Sequence, residues 1–207
     1  MRRSHWLLIL SLVLSLPAAG LPPLTDAQRE QLATADESQK PDQPALYALL
    51  PNVLEWDRSE AARGYVPGAA VPDFEALWTD PQTERGELFV IEGTYAGRQR
   101  SMQLLRPGPW GEALTEWGVV VGGRHGGGGV ASGAEQVVIV YLVDPSGQIE
   151  PPPAGAKVRL AARFYSLWSD QDAQGHAQVY PVFVGRSAEV IRAEGAAARG
   201  CRRCWWA

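Results

Sequence analysis

From Gly86 onward the chain consists of short runs of β-branched and aromatic residues separated by turn-forming ones, and this punctuation restricts what it can fold into. The runs are residues 88–95, 116–121, 136–143, 158–168 and 179–191, and they are bounded by Gly97, Pro107-Gly108-Pro109, Gly122-Gly123, Asp144-Pro145-Ser146-Gly147 and Gly175. In the fourth run Val158, Leu160, Ala162 and Phe164 alternate with Lys157, Arg159, Ala161 and Arg163. A period of two places these sets on opposite faces of a strand, predicting one buried face and one wet one. Residues 137–143 are apolar throughout, which predicts a central strand covered on both sides, with upstream helices as the second cover. Pro181 has no N–H to give a ladder, so the fifth run is expected to be an edge strand or to carry a bulge.

Five strands within about 105 residues, with no helical pattern between them, predict a small closed or nearly closed barrel. Closure also removes the open edges that invite aggregation. The order is a long first strand, a broken second stretch, a central apolar strand and a terminal hairpin. Over residues 85–192 it resembles an oligonucleotide/oligosaccharide-binding (OB) barrel. Val138-Ile139-Val140-Tyr141-Leu142, residues 158–168 and Tyr180-Pro181-Val182-Phe183-Val184-Gly185-Arg186 are similar to a group of exported planctomycete-type bacterial proteins, a resemblance that implies no activity. An immunoglobulin-like sandwich is the alternative, but it would usually need about seven strands. The expected fold is therefore mainly β, a small five-stranded OB-like barrel with short N-terminal helices.

The N-terminus has the form of an export signal. Arg2 and Arg3 precede an apolar run over residues 6–16, and Pro17-Ala18-Ala19-Gly20 supplies small residues for cleavage. That run is shorter than the roughly 20 apolar residues a membrane-spanning helix needs. Residues 1–20 are thus expected to be a signal peptide, with an uncleaved anchor as the alternative, and the mature protein to be soluble and periplasmic or secreted. Residues 21–45, rich in Pro, Gln, Asp and Glu, are expected to be a linker or arm in which Thr25 caps a brief helix. Residues 46–83 are expected to cover the barrel with short helices; one begins at Pro44 with Leu46, Leu49 and Leu50 on one side. Another follows Asp73, with Phe74, Leu77 and Trp78 on one face. The barrel domain is set at 84–192 and a disordered tail at 193–207.

Charge was used to narrow the partners. Losing residues 1–20 removes Arg2 and Arg3 and no acid, which moves the formal charge from −4 to −6. Residues 21–83 carry eleven acidic and four basic side chains, and residues 84–192 carry eleven and ten. Phosphate-backbone binding is driven by counterion release and normally shows a basic excess. Its absence argues for a saccharide or an envelope protein as partner and against nucleic acid.

In OB barrels the ligand lies across strands two and three, between the first–second and fourth–fifth loops. The resemblance thus places Arg98 and Arg100 in or near the first of these loops, Trp117 on the second strand and Trp168 near the last loop. Aromatic faces stack on sugars or bases and Arg adds hydrogen bonds, so these residues and Trp110 form the candidate binding set. The alternative for each tryptophan is a place in the core or at a barrel end. Arg124 joins the set as the tip of the glycine-rich loop at 122–129, which lacks the Gly-Lys-Ser/Thr ending and following helix of a phosphate loop.

His176 and Tyr180 form His-x-x-x-Tyr, a spacing that resembles the haem-attaching motif of the periplasmic haem chaperone of cytochrome c maturation. That resemblance implies His176 as the haem-bonding residue and Tyr180 as an axial ligand. In that family, however, the motif follows the last strand, and here it begins one. Asp170-Gln171-Asp172-Ala173-Gln174-Gly175 is similar to half of a calcium loop, but Pro181 stands where the twelfth-position acid belongs. No nucleophile elbow is present, and a hydrolytic carboxylate pair would have to meet in space rather than in sequence. Cys201 and Cys204 supply two zinc ligands where four are needed. The sequence reading is thus a non-catalytic exported binding or assembly module of the cell envelope without cofactor, with a haem or metal carrier using His176 and Tyr180 as the alternative.

Overall fold

The computed structural model describes residues 21–63, 66–122, 135–171 and 175–191. The signal-peptide expectation for 1–20 and the disordered-tail expectation for 193–207, including Cys201 and Cys204, lie outside the described residues. So does most of the glycine-rich loop.

Among the described residues five helices precede six strands: α1 Asp26–Leu32, α2 Leu46–Leu54, α3 Arg58–Arg63, α4 Phe74–Thr79 and α5 Pro81–Glu84, then β1 Leu88–Gly108, β2 Gly111–Gly122, β3 Glu135–Leu142, β4 Lys157–Gln171, β5 Ala177–Gly185 and β6 Glu189–Val190. β1 pairs antiparallel with β2, β2 with β3, β5 with β4 and β4 with β1. The one parallel step joins β3 to β5, pairing Ile139 with Val182 through Leu142 with Gly185. These pairings close a ring of five strands in the order of an OB-like fold, as expected from the runs and turns. β6 lies on β4 at Val158 and Arg159 and protects a short length of β4 edge.

Alternation along each strand divides the buried residues into two layers. Phe89, Ile91, Trp117, Val119, Val138, Val140, Leu160, Phe164 and Phe183 fill the barrel interior. Leu77 of α4 is fully buried among them and plugs one end of the barrel. Ile139, Tyr141, Val143, Ala161, Tyr165, Val182 and Val184 point outward, beneath Leu46, Leu49, Leu50 and Val53 of α2. The apolar run of β3 is therefore covered on both faces from Val138 onward, whereas Val137 is exposed. Two glycines permit the course of β1. Gly93 passes so close to β2 that a Cβ there would sit 2.4 Å from the Val120 carbonyl oxygen. Gly97, at φ +77°, falls within the register shift between Tyr95 and Gln99, where β1 bends into a long hairpin arm with β2.

The outward face of β4 is not wet beyond Arg159. Ala161 is fully buried and Arg163 is 4 % exposed, because α2, α3 and the chain before α1 lie on them. Arg163 donates from Nε to Asn52 Oδ1 at 3.0 Å, from Nη1 to the Gly86 carbonyl at 2.6 Å and from Nη2 to the Pro22 carbonyl at 2.8 Å, and its guanidinium lies over the Trp56 ring. Residues 21–45 likewise do not form a free arm. Leu24, Leu32, Ala35 and Ala45 are buried, Gln43 receives the Asp36 N–H and returns a bond to the Asp36 carbonyl, and Tyr165 donates to the Pro41 carbonyl. These contacts follow no helical or strand period, which is why they cannot be read along the chain. Thr25 caps α1 through a reciprocal box with Gln28. α2 begins at Leu46 rather than Pro44 and runs on through Pro51 to Leu54. Pro181 lies in the half of β5 that has β4 as its only strand partner, because pairing with β3 begins at Val182. Among the described residues no helix is long and apolar enough to cross a membrane.

Candidate functional site

The helical layer covers the outer face of β3 from Ile139 onward but leaves its first half open. Beside it lies a groove of about 280 Å³ lined by alternate residues from all five barrel strands. Ala96, Arg98 and Arg100 come from β1, Glu116 and Gly118 from β2, Val137 and Ile139 from β3, Trp168, Asp170 and Gln171 from β4, and Tyr180 from β5. Spacing by two along β1, β2 and β3 and between Trp168 and Asp170 puts these side chains on one face, while Gln171 joins them at the end of β4. Gly118, beside Ala96, keeps the floor shallow.

Cross-strand register assembles two pairs at this groove. Trp168 and Tyr180 stand opposite each other on β4 and β5, both half-buried. Arg100 and Glu116 stand opposite each other on β1 and β2, with Arg100 Nε 3.5 Å from Glu116 Oε1. The Glu116 side chain is 13 % exposed whereas that of Arg100 is 57 % exposed. Burial raises the Glu116 carboxyl above its ordinary value; Arg100 opposes this and the nearby Asp170 adds to it. The groove thus combines two exposed cations, an aromatic pair, an aliphatic floor and two acids.

A second, more open depression of about 710 Å³ adjoins the first and shares Val137 and Tyr180 with it. It lies where the first halves of β3 and β5 separate before their parallel pairing starts. Trp78, Val137 and Val179, respectively 46 %, 36 % and 44 % exposed, line it, which leaves an apolar strip unusual for a free surface.

Of the residues expected to bind, Arg98, Arg100 and Trp168 come together in the groove. Trp117 does not: it is 3 % exposed, faces the barrel interior with its ring centroid 5.1 Å from that of Tyr95, and donates from Nε1 to Gln99. The same alternation that points Glu116 and Gly118 outward points Trp117, Val119 and Val121 inward. Trp110 also stands elsewhere, at the turn of the β1–β2 hairpin, packing on Tyr47 and donating to the Arg106 carbonyl. That hairpin end is held to the helical layer by Asp42, which receives the Leu105 N–H, and by the Tyr47 hydroxyl, which receives the Arg106 N–H. His176 is exposed in the β4–β5 turn and lines neither depression. Arg124 and residues 172–174 lie outside the described residues. Glu116, Val137, Ile139 and Tyr180 were not expected in one site with Arg98 and Trp168. Their common signal was strand parity, but the parity of separate strands becomes comparable only once register is known.

No protein-family model matches the sequence, and no curated protein matches it. Solved structures do resemble it. The mitochondrial single-stranded DNA-binding protein Rim1 of S. cerevisiae is 10 % identical with a TM-score of 0.34, over 51 % of this chain and 95 % of that one. The small single-stranded DNA-binding protein of Streptomyces coelicolor is 13 % identical with a TM-score of 0.33, over 50 % of this chain and 93 % of that one. The Plasmodium falciparum SSB complex with ssDNA gives 7 % identity and a TM-score of 0.31, over 50 % and 91 %.

These neighbours correct the functional expectation drawn from the sequence. The saccharide or envelope-protein partner, the haem or metal alternative at His176 and Tyr180, and the exclusion of nucleic acid are corrected against these neighbours, which are single-stranded DNA-binding proteins. The weak step was physical. Charge was summed over whole segments, whereas a ligand meets only the charges lining its own groove.

Proposed function

We propose that this chain is a non-catalytic module that binds single-stranded nucleic acid in the groove on the outer face of the five barrel strands. The observation that carries the reading is the Trp168–Tyr180 pair set into a groove beside the exposed Arg98 and Arg100. Unpaired bases offer free π-faces for such a pair, and base–aromatic stacking contributes about 1–3 kcal/mol per base. Bases inside a duplex are already stacked and paired, so the same groove discriminates against double strands. Val137 and Ile139 give the bases an apolar floor, and Arg98 and Arg100 meet the backbone. The similarity of residues 138–142, 158–168 and 180–186 to exported planctomycete-type proteins adds no activity to this reading.

Fluorescence anisotropy with a labelled single-stranded oligonucleotide tests it. With two arginines at the groove, the logarithm of affinity should fall with the logarithm of salt with a slope of about −1.4. Trp168→Ala should weaken binding by about tenfold or more, and Arg98→Ala should reduce the slope by about 0.7. Absence of binding at low salt, or a Trp168→Ala variant that binds like the parent, overturns the proposal.

A further inference from the structure

Arginines and aromatic residues account for binding an unpaired strand, but they give no reason for two acids in the same groove. A carboxylate beside a phosphate backbone is repulsive, so Glu116 and Asp170 work against affinity unless they face something that donates hydrogen bonds. Glu116 is mostly buried, and its charged partner is Arg100, through a single 3.5 Å approach of Nε to Oε1. Among the described residues no hydrogen-bond donor is given to either Glu116 carboxylate oxygen. Glu116 nevertheless lines the groove, with its side chain 13 % exposed. A desolvated carboxylate with open lone pairs calls for a donor of matching shape.

The nucleobases differ sharply in what they offer to such a group. Uracil and thymine present one N–H between two carbonyl oxygens, both of which a carboxylate repels. Adenine and cytosine present an amino group beside an unprotonated ring nitrogen, again one donor next to one acceptor. Guanine alone places two donors side by side, N1–H and the N2 amino group, which match the two oxygens of a carboxylate. The groove has a carboxylate within a cavity of about 280 Å³, with an aromatic pair for the face of the ring. This arrangement complements the donor edge of guanine and its face.

We propose that Glu116, with Asp170 beside it, makes the groove selective for guanine within a single strand, with Trp168 and Tyr180 against the ring. Glu116 is then a specificity residue and Trp168 an affinity residue. The inference rests on the single-strand reading above and adds the identity of the preferred base.

The test uses the full chain and labelled oligothymidylate of about twelve nucleotides carrying one central dG, dA, dC or deoxyinosine. Inosine keeps N1–H, N7 and O6 but lacks the N2 amino group, so it probes the carboxylate without altering the protein. The dG oligonucleotide should bind about tenfold more tightly than those with dA or dC, and inosine should lose most of that advantage. Glu116→Gln, which keeps the size but loses the second acceptor, should level the preference for dG over dA and dC. Trp168→Ala should weaken all oligonucleotides alike. Equal binding of dG, inosine and dA, or a preference that survives Glu116→Gln, overturns the guanine assignment and leaves the single-strand reading standing. Failure to bind any oligonucleotide overturns both.

Discussion

Replacing Arg163 should loosen the helical layer from the barrel, and its contacts set the size of the effect. Three carbonyl oxygens depend on its guanidinium, but not equally. The Pro22 carbonyl also accepts from Asn52 Nδ2 at 3.0 Å, and Asn52 Oδ1 also accepts from Trp56 Nε1 at 3.3 Å, so both keep a partner after substitution. The Gly86 carbonyl, 2.6 Å from Nη1, has no other donor among the described residues. Leaving one buried acceptor unpaired costs about 1–3 kcal/mol. Loss of the guanidinium over Trp56, 5.6 Å from the ring centroid, adds about 1–2 kcal/mol. The two weakened acceptors bring the total to about 3–5 kcal/mol for Arg163→Met, which keeps the apolar stem in place. In a domain of this size, 1 kcal/mol shifts Tm by about 2–4 °C, so Tm should fall by about 10 °C. Thermal unfolding followed by circular dichroism reads this directly. Arg163→Ala should be worse because it opens a cavity as well, and Arg163→Lys intermediate because a single ammonium cannot reach three acceptors. A fall of less than about 3 °C for Arg163→Met would refute the claim that this side chain ties the two layers together.

Three further outcomes follow from the packing. Gly93→Ala forces a methyl to within 2.4 Å of the Val120 carbonyl and 2.8 Å of Val119 Cγ1, and the urea midpoint should drop by an amount equivalent to about 2 kcal/mol or more. Asp144, with its side chain 1 % exposed, is raised by burial but lowered on balance by bonds from Ser146 and Gln148 and by the Arg58 guanidinium. A carboxyl held low in the folded state stabilises at neutral pH and loses that contribution as pH falls below its unfolded value of 3.8. The urea midpoint of Asp144→Asn should therefore lie below the parent's at pH 7 and converge with it as pH falls below 3.8. Tyr47→Phe removes the hydroxyl that donates to Asp42 at 2.6 Å and receives the Arg106 N–H at 2.9 Å. Amide exchange around Arg106 should accelerate about tenfold, which corresponds to the net contribution of a single hydrogen bond.

How much of this was visible in the chain depends on the range over which each feature is encoded. Strand identity was legible because the period of two over 158–164 and the apolar run at 137–143 are local patterns, and the Asp144-Pro145-Ser146-Gly147 turn sits where a strand must stop. The inward turn of Trp117 was legible as well, had its parity with Val119 and Val121 been followed instead of its chemistry. Arg163 misled for the opposite reason. Its place in the alternation said outward, and it does point outward, but outward is dry there because Pro22, Asn52 and Gly86 arrive from up to 141 positions away.

By itself, the sequence determined the cores of the five barrel strands, which residues of each share a face, and that helices would supply a second layer; it did not show that β1 runs on through Gly97 to Gly108 opposite a β2 that begins at Gly111. Only the tertiary structure decided that β3 lies parallel to β5, that Leu77 stops the barrel end, and that Arg98, Glu116, Trp168 and Tyr180 meet across four strands. The reason is that periodicity reports orientation within one element at a time. Register between elements is settled by the summed packing of both faces, and no single stretch of residues carries that sum.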